Sequence, residues 1–128
     1  MSEQGLSERV SAESAMSVRT DKAAGTVVAT MSGALTTCEQ VEGLRHTLDG
    51  VPRGFALIIE LDAMITLSAK SLACLRELAL AATAAGIRLL LVSESIDVRA
   101  NLILADLDSL APVLHNLAQA DQLVAAAA

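Results

Sequence analysis

Residues 56–61, with the sequence ALIIEL, form a nearly unbroken apolar run that is too short for a typical helix. Apolar runs of four to eight residues are typical of strands, whereas helices need about ten residues or more. A strand this apolar is expected to be covered on both faces, as in sheets that carry helices on each side. Residues 87–92, IRLLLV, repeat the pattern. The chain must therefore fold so that other elements cover two buried strands.

Four other segments indicate helices. Thr37 and Gln40 have the spacing of a capping box, in which each side chain satisfies a backbone amide at a helix start. Ser68 is a suitable N-cap for a long amphipathic helix, and Gly86 supplies its stop. The predicted helices are residues 37–50, 68–85, 95–105 and a last one that begins near residue 116 and runs into the alanine-rich end.

Short β-rich segments complete the pattern. Residues 16–20 and 26–31 are predicted strands, and the turn between them has a length that suits an antiparallel hairpin. Residues 112–114 form a brief edge strand at best. Strands that alternate with helices predict an α/β fold. We expect a single-domain mixed β-sheet of about four or five strands with about four helices.

The chain of 128 residues has the length of one domain. Residues 1–15 combine serines and glutamates without an apolar run, so they are expected to form a flexible N-terminal tail and not a signal peptide. Residues 16–124 are predicted to form the domain, and residues 125–128 its alanine-rich C-terminal end. The expected location is cytoplasmic.

Composition argues against several functions. The net charge of −6 and the scattered basic residues provide no footprint for phosphate backbones, so no nucleic acid is expected as a partner. Phe55 is the single aromatic residue, which disfavours sites that stack bases, sugars or cations on aromatic faces. The apolar stretch at residues 78–92 is interrupted by polar residues and is too short to span a bilayer. We therefore expect no direct membrane insertion.

The groups that carry most catalytic and metal chemistry are few. His46, His115, Cys38 and Cys74 are widely separated in the sequence, so neither a metal site nor a Cys–His nucleophile is indicated. The glycines form no phosphate-binding motif, and we expect no cofactor and no enzymatic activity. The two cysteines are expected to be reduced thiols, because two helix starts usually hold their Cα atoms more than ~7 Å apart. Redox pairing across the fold is the alternative.

The turn at residues 64–71 places a basic residue where helices favour acidic ones. With Ser68 as N-cap, Lys70 occupies the second helical position, where it faces the positive end of the helix dipole at a cost of about 0.3–1 kcal/mol. Such violations concentrate at functional sites. Lys70 is therefore a candidate functional residue, and a solvated surface lysine is the alternative interpretation.

Two long segments carry a resemblance to a known family, the STAS domain of bacterial anti-sigma factor antagonists and sulfate transporter tails. Residues 56–92, ALIIELDAMITLSAKSLACLRELALAATAAGIRLLLV, have the family's order of strand, turn, helix, glycine and strand. Residues 33–36 stand where the family usually has Gly-Glu-Leu-Asp. Residues 98–120 keep its V-R-x-x-L, L-D-x-L and P-V spacing at Val98, Arg99, Leu102, Leu107, Asp108, Leu110, Pro112 and Val113.

The resemblance implies a non-enzymatic module that binds an anti-sigma factor and so regulates sigma-factor-dependent transcription. Family members commonly carry Asp-Ser-Ser-Gly-Leu at the start of the long helix, and the second serine is phosphorylated. Lys70 occupies that acceptor position here, so the usual phosphorylation switch is expected to be absent, with Ser68 and Ser71 as weak substitutes. By the resemblance, the partner-binding residues are Thr36, Ser68, Ala69, Lys70 and Ser71.

Two alternative functions stay open at the level of sequence. The chain is similar to STAS subunits that pack constitutively in a transporter or a larger signalling assembly. It is also similar to ligand-sensing STAS domains, in which Lys70 and the helix start would hold an anion or a nucleotide phosphate. The oligomeric state also stays open, with a homodimer as one option.

Overall fold

The computed structural model describes residues 15–127. The predicted flexible tail at residues 1–15 lies outside this range except for Ala15, which belongs to the first strand. The strands are β1 (Ala15–Asp21), β2 (Thr26–Ser32), β3 (Ala34–Leu35), β4 (Ala56–Leu61), β5 (Thr66–Leu67), β6 (Arg88–Val92) and β7 (Val113–Leu114). The helices are α1 (Cys38–Asp49), α2 (Ala69–Ala84), α3 (Ile96–Leu104) and α4 (Leu117–Ala127), and a 3₁₀ turn lies at Leu107–Ser109.

Five strands form one mixed sheet in the order β1-β2-β4-β6-β7. β1 and β2 form the predicted antiparallel hairpin, while β4, β6 and β7 continue the sheet in parallel with β2. The predicted α/β class, the mixed five-stranded sheet and the four helices are confirmed. The last helix continues to Ala127, so helical structure extends past the domain end predicted at residue 124.

The central strand β4 is covered on both faces, as its composition predicts. Leu57, Ile59 and Leu61 point into the larger cluster beneath α1, α2 and α3. Ala56 and Ile58 point into a smaller cluster that α4 covers. Because successive side chains of a strand alternate between faces, a strand with apolar residues on both faces, and one polar residue, Glu60, near its end, needs a layer on each side.

The helix starts follow the predicted caps. The capping box of Thr37 and Gln40 opens α1, and Ser68 caps α2. Ser95 caps α3 by accepting a hydrogen bond from the Val98 amide at 3.2 Å. In the described residues, 15–127, none of the helices combines the length and the apolarity that a membrane span requires.

A second, two-stranded sheet was missed by the sequence analysis. β3 pairs in parallel with β5, with Ala34 opposite Thr66 and Leu35 opposite Leu67. The chain enters β3 through Gly33, whose φ of +84° is a conformation that glycine adopts without steric cost. Two-residue strands are too short to show periodicity, yet this pair brings the segment before α1 against the segment before α2.

The structure corrects the expectation for the cysteines. Cys38 and Cys74 form a disulfide that joins α1 to α2, with their Cα atoms 5.7 Å apart. The expectation of reduced thiols assumed two distant helix starts. Cys74 instead lies in the second turn of α2, and the pairing of β3 with β5 draws the start of α1 alongside that turn.

The disulfide should stabilise the fold by restricting the unfolded chain. For cysteines separated by 36 positions, loop-closure entropy predicts that reduction lowers the free energy of unfolding by about 3–4 kcal/mol. Denaturant titrations with and without dithiothreitol measure this difference. The Cys38→Ser/Cys74→Ser variant is the control and should be insensitive to the reductant. Equal stability of the oxidised and reduced wild type would contradict the prediction.

Candidate functional site

The start of α2 and the segment before α1 form one continuous structure. The Ser68 hydroxyl donates to the Thr36 carbonyl oxygen at 2.7 Å, across 32 positions of sequence. Thr36 is also fixed to α1, since its backbone amide donates to the Gln40 side-chain oxygen at 2.7 Å. Two of the residues implied by the resemblance, Thr36 and Ser68, are therefore in direct contact, one on each side of the β3–β5 pair.

Ser68 and Ser71 form a reciprocal capping box. The Ser71 amide donates to Ser68 Oγ at 3.1 Å, and the Ser68 amide donates to Ser71 Oγ at 3.0 Å. The Ser71 hydroxyl donates in turn to the Ser68 carbonyl at 3.1 Å. Ser71 is 0% exposed, so its side chain holds the turn and does not reach a partner in this conformation. This replaces the expectation that Ser71 contacts a partner directly.

Ala69 and Lys70 are exposed at the first two positions of α2. The first turn of α2 contains no acidic residue, so the Lys70 ammonium adds positive charge to the positive end of the helix dipole. Lys70 is therefore available to a partner, and a carboxylate on that partner would relieve the unfavourable interaction with the dipole.

An apolar groove runs from the start of α2 to the end of α3, with a volume of about 360 Å³. Leu104 on its rim is 84% exposed. The residues that line the groove are Ala69, Leu72, Ala73, Arg76, Asn101, Leu104 and Ala105. We call Lys70 and these seven residues the docking surface.

The groove is not evident from the sequence because its lining residues on α2 and on α3 lie 25 or more positions apart. Leu72 illustrates the difficulty. It shares the helical arc of the buried Leu75 and Leu78, yet it is only half-buried and lines the groove. An exposed apolar residue near the end of α3, Leu104, is the one signal that could have indicated the groove from sequence.

The edge of the sheet beyond the ends of β4 and β6 is acidic. Glu60, Asp62 and Glu94 line a cavity of about 190 Å³ there, together with Thr30, whose hydroxyl donates to Glu60 at 3.1 Å. Carboxylates repel phosphate. This edge is therefore unfavourable for a phosphate, whereas the alternative that places an anion at Lys70 concerns a different part of the surface.

Groups suited to catalysis do not converge near the docking surface. His46 and His115 lie on exposed positions of separate elements, in the last turn of α1 and before α4. Among residues 15–127, no three His, Cys, Asp or Glu side chains are grouped so as to hold a metal ion. What the arrangement offers is an apolar groove, a lysine and a rigidly hydrogen-bonded turn, which are the elements of a protein-binding surface.

Neither a protein-family model nor a curated protein matches the chain. The geometry of the surface and the chemistry of its residues are therefore the basis for assigning a function.

Substitution of Ser68 tests its double role as helix cap and bridge. Ser68→Ala removes an N-cap worth ~1 kcal/mol and the hydrogen bond to Thr36, worth a further ~1 kcal/mol. Ser95→Ala is the matched control, because Ser95 caps α3 through a contact within one segment. Urea titrations should show a loss of about 2 kcal/mol for Ser68→Ala and about 1 kcal/mol for Ser95→Ala. Equal losses would show that the Ser68–Thr36 hydrogen bond contributes nothing to stability.

Proposed function

We propose that the chain is a non-enzymatic protein-interaction module that binds an anti-sigma factor through the docking surface and so regulates sigma-factor-dependent transcription in the cytoplasm. The observation that carries this proposal is the groove between α2 and α3, apolar and open, with Lys70 beside it at the start of α2. Interfaces commonly place an apolar centre inside a polar rim.

The composition of the docking surface indicates the chemistry of the partner. Leu72, Ala73 and Leu104 would receive an apolar side chain, while Lys70 would pair with a carboxylate at the rim. Arg76 is less available, because its guanidinium already contacts the Asp106 carboxylate at 3.4 Å and the Asp106 carbonyl at 3.2 Å. We therefore expect the partner to present an apolar residue flanked by acidic ones.

The resemblance to STAS domains supports the choice of an anti-sigma factor among acidic protein partners. In that family the start of the long helix is the docking site, and phosphorylation of a serine there abolishes docking through charge and bulk. Lys70 stands at the acceptor position, Ser71 is buried, and the hydroxyl of Ser68 is engaged with Thr36. In this proposal serine phosphorylation at the helix start therefore does not control binding.

Charge reversal at Lys70 should separate binding from folding. Lys70→Glu places a favourable charge at the helix start, so the fold should be unchanged or stabilised by up to ~1 kcal/mol. Loss of the rim contact and repulsion by acidic groups should weaken binding to a kinase-type anti-sigma factor of the same organism tenfold or more. Isothermal titration calorimetry at low and moderate salt gives the Kd, and thermal melting gives the stability.

The matched control for Lys70→Glu is Lys22→Glu, which makes the same charge change at the only other lysine. Lys22 lies near Gly86, beyond the opposite end of α2, and the 16 residues of that helix extend over roughly 24 Å. Lys22→Glu should leave the Kd within a factor of about two. Equal affinity of Lys70→Glu and wild type at both salts, or no binding of the wild type to any such anti-sigma factor, would contradict the proposal.

A substitution at Leu104 tests whether the groove takes part in binding. Leu104→Asp should lower stability by at most about 1 kcal/mol, because the side chain is 84% exposed and only the negative end of the helix dipole opposes the new charge. It places an unpaired carboxylate in an apolar contact and should weaken binding tenfold or more. Ile96→Asp is the matched control. Ile96 is 72% exposed but lies at the other end of α3, outside the groove. A pull-down series against the same anti-sigma factor compares the two, and equal effects would remove the groove from the interface.

A further inference from the structure

We propose that Cys38 and Cys74 form a thiol–disulfide exchange site at which a protein dithiol controls the order of the docking surface. This inference rests on the proposed function only for the identity of what the surface binds. The exchange chemistry and its effect on the surface concern the protein alone.

The disulfide is accessible. Both cysteines are half-buried, and they line a surface cavity of about 200 Å³ between α1 and α2, together with Val41, Arg45 and Glu77 among others. A disulfide in a dry core is protected from attack, whereas one in an open cleft can be approached by an external thiolate. The position of this disulfide is thus suited to exchange.

The bond also lies directly beside the docking surface. Cys38 is the first residue of α1 and follows Thr37, the N-cap, while its sulfur lies 3.9 Å from the carbonyl oxygen of Lys70. Cys74 follows Ala73, a residue of the groove, by one position. The covalent bond therefore crosses the same junction as the hydrogen bond between Ser68 and Thr36.

The exchange proceeds in two balanced steps. A thiolate of the dithiol attacks Cys74 Sγ, forms a mixed disulfide, and breaks the bond to Cys38, which leaves as a thiolate. The second thiol of the dithiol then attacks the dithiol's first sulfur, which is bonded to Cys74 Sγ in the mixed disulfide, and Cys74 leaves as a thiolate. Two electrons pass from the dithiol to the cysteine pair, two protons end on Cys38 and Cys74, and the dithiol becomes a disulfide. The same steps in reverse oxidise the pair.

The helix start favours Cys38 as the leaving group. It occupies the first position of α1, where free backbone amides and the helix dipole stabilise negative charge. Cys74 lies within α2, beyond the first turn, and has no such amides. The incoming thiolate is therefore expected to attack Cys74 Sγ, with Cys38 as the leaving thiolate.

Reduction removes the covalent connection across the junction. The contacts that remain are the Ser68–Thr36 hydrogen bond, the β3–β5 pairing with its hydrogen bond from the Thr66 amide to the Gly33 carbonyl, and the packing of α1 and α2 in the larger core cluster. Thr37 is exposed and Cys38 is half-buried, so the core restrains this helix start less than it restrains the buried part of α1. In this proposal the oxidised form therefore has the more ordered surface, and pre-organisation increases affinity by reducing the entropy lost on binding.

The proposed location adds a reason to expect control. In cytoplasm, thiol reductants keep most cysteines reduced, and the disulfides that do form there are usually transient and redox-sensing. A cysteine pair whose geometry already permits a bond, with Cα atoms 5.7 Å apart, would in that compartment respond to the state of the dithiol pool.

The first experiment tests exchange on the protein in its native, folded state. The oxidised chain is incubated with reduced thioredoxin as the probe dithiol, quenched with an alkylating reagent, and mapped by mass spectrometry. We expect at least half of the Cys38–Cys74 bond to be reduced at an equimolar ratio. A bond that stays intact under tenfold excess would overturn the proposal, because the site would then be closed to a protein dithiol.

The second experiment measures order at the docking surface and at the adjoining start of α1 by ¹⁵N relaxation, which reports fast motion in the native state and not global unfolding. In the oxidised protein, the amides of Thr37, Cys38 and Lys70 should have order parameters near ~0.85, and reduction should lower them toward ~0.6. The amides of Ile58 and Ile59 in β4 are the internal control and should not change. Unchanged values at the surface would overturn the proposal even if exchange occurs.

The third experiment connects order to binding. The oxidised wild type should bind the anti-sigma factor at least fivefold more tightly than the reduced wild type, and Cys38→Ser/Cys74→Ser should match the reduced form in either buffer. Equal affinities of the two redox forms would overturn control of docking. If neither form binds, the proposed function fails, while the exchange and relaxation results still decide the redox inference.

Discussion

The burial of β4 on both faces is the constraint on which the rest of the structure depends. A strand with apolar residues at both sets of alternating positions cannot leave either face in water, since each buried aliphatic side chain is worth about 1.5–3 kcal/mol. α2 and its neighbours cover one face and α4 covers the other. This places the start of α2 at the edge of the sheet, where it forms the docking surface with the end of α3 and contacts the segment before α1 on another side.

The main elements could be predicted because each carries a local signal. The run at β4, the capping box of α1, the Ser68 cap of α2 and the Ser95 cap of α3 are all contained in a few consecutive residues. The features that were missed depend on distant segments. The pairing of β3 with β5, the groove between α2 and α3 and the proximity of Cys38 to Cys74 arise only when the sheet has assembled, and no short window of sequence contains them.

In the candidate site, too, the placement of some residues could be predicted from the sequence and that of others could not. The exposure of Ala69 and Lys70 follows from their places at the start of a capped helix, so they could be identified from sequence. The burial of Ser71 could not, because it depends on how the turn closes against β3 and on the reciprocal bonds with Ser68. Residues near one another in sequence thus have different roles. Ser68 and Ser71 hold the conformation of the turn, while the side chains of Ala69 and Lys70 are exposed to a partner.

The strand order of the large sheet has a consequence for synthesis of the chain. Because β1, β2, β4, β6 and β7 are neighbours in the order in which they occur in sequence, a growing polypeptide can add each strand to one side of an existing sheet. No strand has to insert between two that are already paired, which shortens the search for partners. Cys38, by contrast, emerges from the ribosome well before Cys74, so the two sulfurs can join only after β4 and the first six residues of α2 have been made. Assembly of the sheet can therefore begin before the disulfide exists.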